Sequence, residues 1–461
     1  MTTTCSFRLD DTGQPNAKTF TQQGHRLYRR GDPSSAIAAY HRALAAQPTY
    51  GPAHQALGFV WLQKQHYAQA VLHFVKALAL QPESARLHVG YGMALCGIDQ
   101  YEQAIEHYRH ALYLKPDAPG ATYQLAQALR RLNRVEESLP YYEQALRQRP
   151  EHMAIRYNYA AALLTLGRFQ EGFRQYERRW RRVQPHGAAP QWQGEDLTGK
   201  SILLYREQGY GDTIQFARHV PEVTRRGGQV ILQCQQPLVR LLRTLEGVTQ
   251  VEAKAEAIAP IDYQVSVMSL AYATQSTLAT VPAQVPYLKV PKNAFKPLPA
   301  ARTKRPFKVG VVWAAGQVTT NGGERSMALR LFAVLFDCPG VTFYSLQKGE
   351  QAAEFQPCSD LAGVIDLAPQ LEDFADAAAY IAQLDLVISV DTAVAHLTGA
   401  LDKEVWILLP YAADWRWMLQ REDSPWYPTA RLFRQRHRGD WKGVIDRVKQ
   451  QLAGRFSASQ D

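Results

Sequence analysis

The first third of the chain places small, aromatic and polar residues at helical spacing, and the whole pattern returns every 34 residues. Pro48, Pro82, Pro116 and Pro150 keep that offset, as do Ala43, Ala77, Ala111 and Ala145, and Tyr40, Phe74, Tyr108, Tyr142 and Tyr176. Ala36, Ala70 and Ala104 follow it, and so do Gly24, Gly58 and Gly92. A small residue in one helix lets its partner approach, an aromatic fills the space beside it, and proline ends the second helix. The spacing predicts a solenoid of paired helices over residues 17–185, after a tail at 1–16.

Past a stretch rich in Pro, Gly, Ala and Gln (Val183–Gly199), the pattern changes to short apolar runs alternating with helical segments. The runs Ser201–Tyr205, Gln229–Cys234, Val248 and its neighbours, and Tyr263–Val267 read as strands of one small parallel α/β domain, residues 186–300. Helices are expected at Thr213–Arg226 and Pro237–Glu246. A proline-rich basic connector leads to a second α/β domain, residues 301–461. Its strands are expected at Phe307–Trp313, Thr342–Leu346, Leu384–Val390 and Val405–Leu409, with helices at Leu329–Phe336, from Ala393, and at about Trp441–Leu452.

The repeat array resembles the tetratricopeptide repeat, whose signature positions match in four consecutive copies from Ala17 to His152. A fifth copy from Met153 keeps Ala160, Gly172 and Tyr176 but has Arg179 at the small position, as a terminal repeat does when it docks on something else. The cluster Arg178, Arg179, Arg181 and Arg182 reads as a solvated helix end. Such arrays form a concave face that holds a peptide or protein. The asparagine ladder of repeat-bearing protein O-glycosyltransferases is missing, since its places carry Gln22, Ala56, Gly90, Gln124 and Asn158.

The net charge of +10 favours anionic ligands, but the basic residues are spread along the chain and build no basic tail, so no nucleic-acid partner is expected. Cys5, Cys96, Cys234, Cys338 and Cys358 lie far apart without metal-ligand spacing, which suits a reducing compartment. The N-terminus lacks the basic then apolar pattern of a signal peptide and no apolar run is long enough to span a membrane, so a cytoplasmic location without a membrane span is expected.

In a parallel sheet, ligands gather at the carboxyl ends of the strands. The turn after Val390 places Asp391, Thr392 and the amides from Ala393 there, suited to phosphate or a sugar. His396 lies further along the same helix. Asp391 either caps that helix or accepts sugar hydroxyls. In the first α/β domain the glycine loop Glu207–Asp212 lacks the third glycine of a dinucleotide fingerprint and offers Asp212, either a helix cap or a general base. Arg325 and Ser326 end a small-residue loop that can approach phosphate, and Gln347 and Lys348 end a strand. Asp373 and Asp376 read as helix-capping acids. The segment Asp414–Gln435, with Trp415, Trp417, Trp426 and Tyr427, either walls a sugar or base site or packs as a loop.

Taken together, GYGDTIQFAR from Gly209, Arg325-Ser326, SLQKG from Ser345, DFAD from Asp373, SVDTAVAHL from Ser389, and SPWYP from Ser424 followed by RLFRQ from Arg431 resemble the bacterial tetratricopeptide-repeat glycosyltransferases. More distantly they are similar to the heptosyltransferases of lipopolysaccharide synthesis. The resemblance implies a GT-B fold: two Rossmann-like domains, acceptor on the first and nucleotide-sugar on the second, with the last helix crossing back to the first. It implies a metal-independent transferase without cofactor, in which Asp212 is the base, and Gly209, Gly211 and Gln215 form the acceptor loop. Arg325, Ser326, Gln347, Lys348, Asp391, Thr392, Ala393 and His396 would then contact the donor. Heptose is not implied, because the family's DTG is here Asp391-Thr392-Ala393 and its phosphate loop has no counterpart in Gln317–Glu324. The alternative is a repeat scaffold whose α/β half no longer catalyses.

Overall fold

The computed structural model describes residues 16–179, 189–254, 260–300, 307–316, 322–358 and 364–457. Arg181, Arg182, Cys5 and most of the Gln317–Glu324 loop lie outside the described residues. The chain forms two compact units, Met1–Ala162 and Leu163–Asp461, whose boundary falls inside a helix.

The first unit contains α1 (Ala17–Arg29), α2 (Pro33–Ala46), α3 (Gly51–Gln63), α4 (Tyr67–Leu80), α5 (Ala85–Gly97), α6 (Tyr101–Leu114), α7 (Ala121–Arg131), α8 (Val135–Gln148) and most of α9 (Met153–Thr165). Asn16 caps α1 by accepting the Thr19 N–H, and Asp32 caps α2 just before Pro33, whose missing N–H costs nothing at a first turn. The repeat positions explain the pairing. A Cβ on Gly24, Gly58 or Gly92 would stand 2.3, 2.8 or 2.6 Å from the ring of Tyr40, Phe74 or Tyr108. Each glycine thus opens the slot that the aromatic of the next helix fills. Ala36, Ala70 and Ala104 are fully buried beside them.

The second and third repeats also share a polar device. His54 Nε2 lies 3.0 Å from the Pro48 carbonyl and its Nδ1 lies 3.1 Å from His73 Nδ1. One repeat on, His88 stands 2.8 Å from the Pro82 carbonyl and 2.9 Å from His107 Nδ1. A carbonyl only accepts, so each Nε2 carries the proton, and each neutral Nδ1 then accepts from its partner's Nδ1–H. Burial lowers all four imidazole pKa values, those of His73 and His107 to about 4.

The second unit begins with the end of α9 and α10 (Phe169–Glu177). Phe169 stacks on Trp426 at 5.5 Å and Phe173 meets Trp415 at 5.9 Å, so the degenerate repeat is built into the α/β half, as its departures from the pattern predict. One expectation there fails. Arg179 is not solvated: it makes a two-point pair with Glu207, 2.7 Å at each contact, and its side chain is 9% exposed.

A first sheet holds β1 (Ser201–Tyr205), β2 (Gln229–Gln233), β3 (Val248–Glu252) and β4 (Tyr263–Ser266) in the order β3-β2-β1-β4, with α11 (Tyr210–Phe216), α12 (Val220–Thr224), α13 (Val239–Leu242) and α14 (Leu270–Ala273) in the connections. A second sheet holds β5 (Phe307–Val312), β6 (Val341–Ser345), β7 (Val364–Asp366), β8 (Leu386–Val390), β9 (Val405–Leu409) and β10 (Ala430–Arg434) in the order β10-β9-β8-β5-β6-β7. Between its strands lie α15 (Gly322–Arg325), α16 (Leu329–Phe332), α17 (Phe374–Ile381) and α18 (Ala393–Ala400), and α19 (Trp441–Ser457) follows. All strand pairs in both sheets are parallel. β8 and β9 are buried at every position, as central parallel strands covered on both faces must be. A tetratricopeptide solenoid is thus followed by two parallel α/β lobes of the GT-B kind.

The final helix differs from expectation. Trp441, Val444, Ile445, Val448 and Leu452 of α19 join the core of the second sheet with Trp313, Phe332 and Trp406, so its apolar face is spent on its own lobe. Among the described residues no helix is long and apolar enough to cross a membrane.

Candidate functional site

The turn after β8 opens the site. Val390 ends the strand, Thr392 takes the N-cap position in extended backbone, and its hydroxyl lies 2.9 Å from Ser389 Oγ. Thr392 rather than Asp391 therefore enters the helix, which leaves the Asp391 carboxylate for other partners. Asp391 is 4% exposed, with Oδ2 3.5 Å from Arg325 Nη1 and Oδ1 3.9 Å from His396 Nε2. Burial raises its pKa and the Arg325 charge opposes the rise.

His396 projects from α18 into a closed aromatic setting. It stacks on Trp417 at 5.3 Å, and its Nδ1 meets the Tyr427 hydroxyl at 2.9 Å. Burial, helped by the charges of Arg416 and Arg218, lowers its pKa to about 3, so the ring is neutral at physiological pH. Trp415, Trp417, Trp426 and Tyr427 are all buried, so the packed-loop alternative holds for the aromatic segment.

Across the gap, Gly209 is the N-cap of α11 and Asp212 sits three residues on. Asp212 Oδ2 accepts the Gly209 N–H at 2.8 Å, one half of a capping box, which glycine has no side chain to complete. Its Oδ1 pairs with Arg416, which comes from the second lobe. The two helix starts are in contact: a Cβ on Gly211 would lie 2.9 Å from His396 Cδ2 and 3.5 Å from the Ala393 Cα. Only glycine lets the turn that opens α11 approach the first turn of α18 so closely.

Arg416 links these groups. Its Nε donates to Gln215 Oε1 at 2.6 Å, its Nη1 to Asp414 Oδ1 at 2.8 Å, and its guanidinium lies 4.4 Å from the Trp415 ring centre. Burial would raise the Asp414 pKa, but Arg416 outweighs it and holds the carboxyl below its ordinary range. Two guanidinium groups, Arg325 and Arg416, thus face the carboxylates of Asp391, Asp212 and Asp414; burial pushes Asp391 toward its neutral form, while Arg416 keeps Asp414 ionised.

The remaining sequence candidates separate into those that shape the site and those that turn from it. Ser326 Oγ accepts the Ala315 N–H at 3.0 Å, and Gln347 Oε1 accepts the N–H groups of Trp313 and Ala314 at 3.1 and 2.9 Å. Both hold the loop after β5. Lys348 donates to the carbonyls of Leu371 and Ala368, capping the turn before α17. Asp373 caps α17 as expected, accepting from Ala375 and Asp376 at 2.9 and 3.1 Å. With Asp376 it also binds Arg240 of the first lobe, at 3.0 and 3.4 Å, while Lys296 reaches Asp376 at 2.8 Å.

Sequence reasoning passed over Arg416, Arg240 and Arg218, arginines that bridge the lobes: Arg218, 2% exposed, donates to the Trp426 carbonyl and lies 4.5 Å from the Tyr427 ring centre. The signal for Arg416 was present: a cation between two tryptophans, two residues after an aspartate, in a segment too apolar to lie in solvent. No group of three or more His, Cys, Asp or Glu side chains converges as a metal site among the described residues.

Comparison with known families bears on this arrangement. Tetratricopeptide-repeat families match residues 17–124 and 123–190, and glycosyltransferase family 9 (heptosyltransferase) matches residues 341–416. The family 9 segment takes in Asp391, His396 and Arg416 but stops short of Asp212. Protein FlbA of Caulobacter vibrioides is 27% identical over 304 residues, covering 58% of this chain and 49% of that protein. The chain therefore spans about half the length of that relative. Among solved structures, YrrB, a TPR protein with an unusual peptide-binding site, is 21% identical over 36% of this chain and 85% of its own, with a TM-score of 0.33. MamA is 21% identical over 36% of this chain and 90% of its own, with a TM-score of 0.34. The family 9 match supports glycosyltransferase activity in general. The chain carries tetratricopeptide repeats followed by a segment, 341–416, that matches glycosyltransferase family 9 (heptosyltransferase).

Proposed function

We propose that the second unit transfers a sugar from a nucleotide-sugar to a hydroxyl of a protein or glycan without a metal ion. The observation that carries this reading is the meeting of two helix starts from different lobes, one bearing Asp212 and the other Asp391, with Gly211 against His396. The acceptor hydroxyl gives its proton to Asp212 as its oxygen attacks the anomeric carbon. The bond from that carbon to the diphosphate breaks, and the diphosphate leaves with the electron pair. Arg325 and the free amides of α18 receive its charge, while neutral His396 adds none. Positioning supplies much of the rate, since both reactants are held against rigid helix ends. Ser326, Gln347 and Lys348 act by holding the loops around the donor. The repeat array offers a surface for a protein or peptide partner.

One observation favours the scaffold alternative: both Asp212 oxygens already have partners, Gly209 and Arg416. A panel of nucleotide-sugars, read by release of the nucleoside diphosphate, separates the two. Transfer predicts turnover with at least one donor, and a scaffold predicts neither turnover nor binding of any nucleoside diphosphate.

A further inference from the structure

We infer that Arg416 is the positioning residue of the transfer site, holding Asp212 in place from the opposite lobe. This deepens the transfer reading and rests on it. The guanidinium is shared among three side chains. It is 7% exposed, and its three nitrogens serve three different side chains: Nε binds Gln215, Nη1 binds Asp414 and Nη2 binds Asp212. Two of those partners lie on α11 and the third on the loop that carries Arg416 itself, so the planar fork fixes α11 in both position and rotation.

The arginine is itself over-determined. Its backbone N–H binds Asp414 Oδ1 at 3.1 Å, its carbonyl accepts the Trp426 indole N–H at 2.9 Å, and the Trp415 ring lies 4.4 Å from its guanidinium. A group this constrained transmits position rather than adapting to it. Asp212 needs such a hold because α11 is only seven residues long and its own cap, the Gly209 N–H, fixes only Oδ2. The Oδ1 contact with Arg416 sets the second point and therefore the plane of the carboxylate.

A bridge remote from Asp212 supplies the control. Arg240 reaches Asp373 and Asp376 at 3.0 and 3.4 Å and touches neither Asp212 nor Asp391 in the described contacts. If Arg416 merely pinned the lobes together, losing either bridge should hurt turnover alike. If it positions Asp212, only its own loss should.

The experiment measures kcat and KM for donor turnover in the wild type, Arg416→Gln, Arg416→Lys and Arg240→Gln, with folding checked by circular dichroism. A displacement of about 1 Å at the reacting group costs on the order of 100-fold in rate. Arg416→Gln should therefore lose about that much kcat with KM for the donor within about 3-fold. Arg416→Lys keeps the charge but not the fork, and should recover only part of the loss. Arg240→Gln should keep kcat within about 3-fold. Equal losses in Arg416→Gln and Arg240→Gln, or full recovery by lysine, overturn the positioning role. Should Arg416→Gln not fold, Arg416→Lys against Arg240→Gln decides alone. An active wild type with unchanged Arg416 variants refutes this inference only, whereas a wild type inactive on every donor removes the transfer reading and this inference with it.

Discussion

Replacing Arg179 with methionine tests how the degenerate repeat is fastened to the α/β half. Arg179 and Glu207 meet at 2.7 Å in two parallel contacts, and their side chains are only 9% and 6% exposed. Glu207 also accepts from Ser266 at 2.7 Å, and Arg179 donates to Ser269 at 2.9 Å and to Glu177 at 2.8 Å. Burial alone would lower the arginine pKa, but Glu207 and Glu177 outweigh it and raise it. Methionine leaves Glu207 buried with one hydroxyl donor, and removing one partner of a buried pair costs about 3–5 kcal/mol. The lower end applies here because Ser266 remains. With a urea slope of about 3 kcal/mol/M, the midpoint should fall by about 1 M. Tryptophan fluorescence is the suitable signal, since of the nine tryptophans only Trp61 lies in the first unit. The double variant Arg179→Met with Glu207→Gln should be less destabilised than the sum of the single variants, with a coupling of roughly 2 kcal/mol. A single variant within about 0.5 kcal/mol of wild type, or strict additivity, would refute the account of a buried, mutually dependent pair.

Further outcomes follow from the repeat unit. The folded pKa values of His73 and His107 are lowered to about 4 from 6.5, so below pH 6.5 the unfolded chain takes up protons that the folded pairs refuse. Stability of this region is therefore complete above about pH 6.5 and declines as pH falls toward 4. His41 and Lys76 beside the first pair and His110 beside the second add to the effect, and Glu83 opposes it at His88. His54 and His88 are buried while His73 and His107 are partly exposed, and screening at the exposed rings reduces the loss to on the order of 1 kcal/mol per pair. Hydrogen exchange across α3 to α6 at pH 7 and pH 5 reads it, and equal opening free energies at both would contradict the pairing. Gly58→Ala puts a methyl 2.8 Å from the Phe74 ring and should lower stability by about 1–3 kcal/mol in a denaturation experiment on the full chain, whereas an unchanged midpoint would mean the slot has room.

Much of the architecture was legible because it repeats or alternates. The solenoid announces itself through glycine, alanine, aromatic and proline at one period, and β8 and β9 through unbroken apolar runs. The strands missed were β7, a three-residue edge strand, and β10, whose ARLFR reads as charged loop because Arg431 and Arg434 sit near its ends. The break between α11 and α12 was missed as well, because local propensity runs through it while packing does not. At the site, residue identity was legible and direction was not. Lys348 stands at the expected strand end yet turns to the Leu371 carbonyl, and Asp212 performs the capping that its position allowed. Arg179 was misread because no local pattern shows that Glu207, on a different element, waits opposite.

The central claim is that Asp212, held between the two lobes, takes the acceptor proton, and Asp212→Asn tests it directly. Asparagine keeps an oxygen for the Gly209 N–H and with it the α11 cap, while the basic carboxylate and its ion pair with Arg416 are gone, so folding is checked by circular dichroism. Sugar transfer measured beside calorimetric binding of the nucleoside diphosphate should show turnover reduced by at least about 100-fold with binding nearly intact. Transfer at the wild-type rate in the folded variant would contradict the account and leave Asp212 as a helix cap alone.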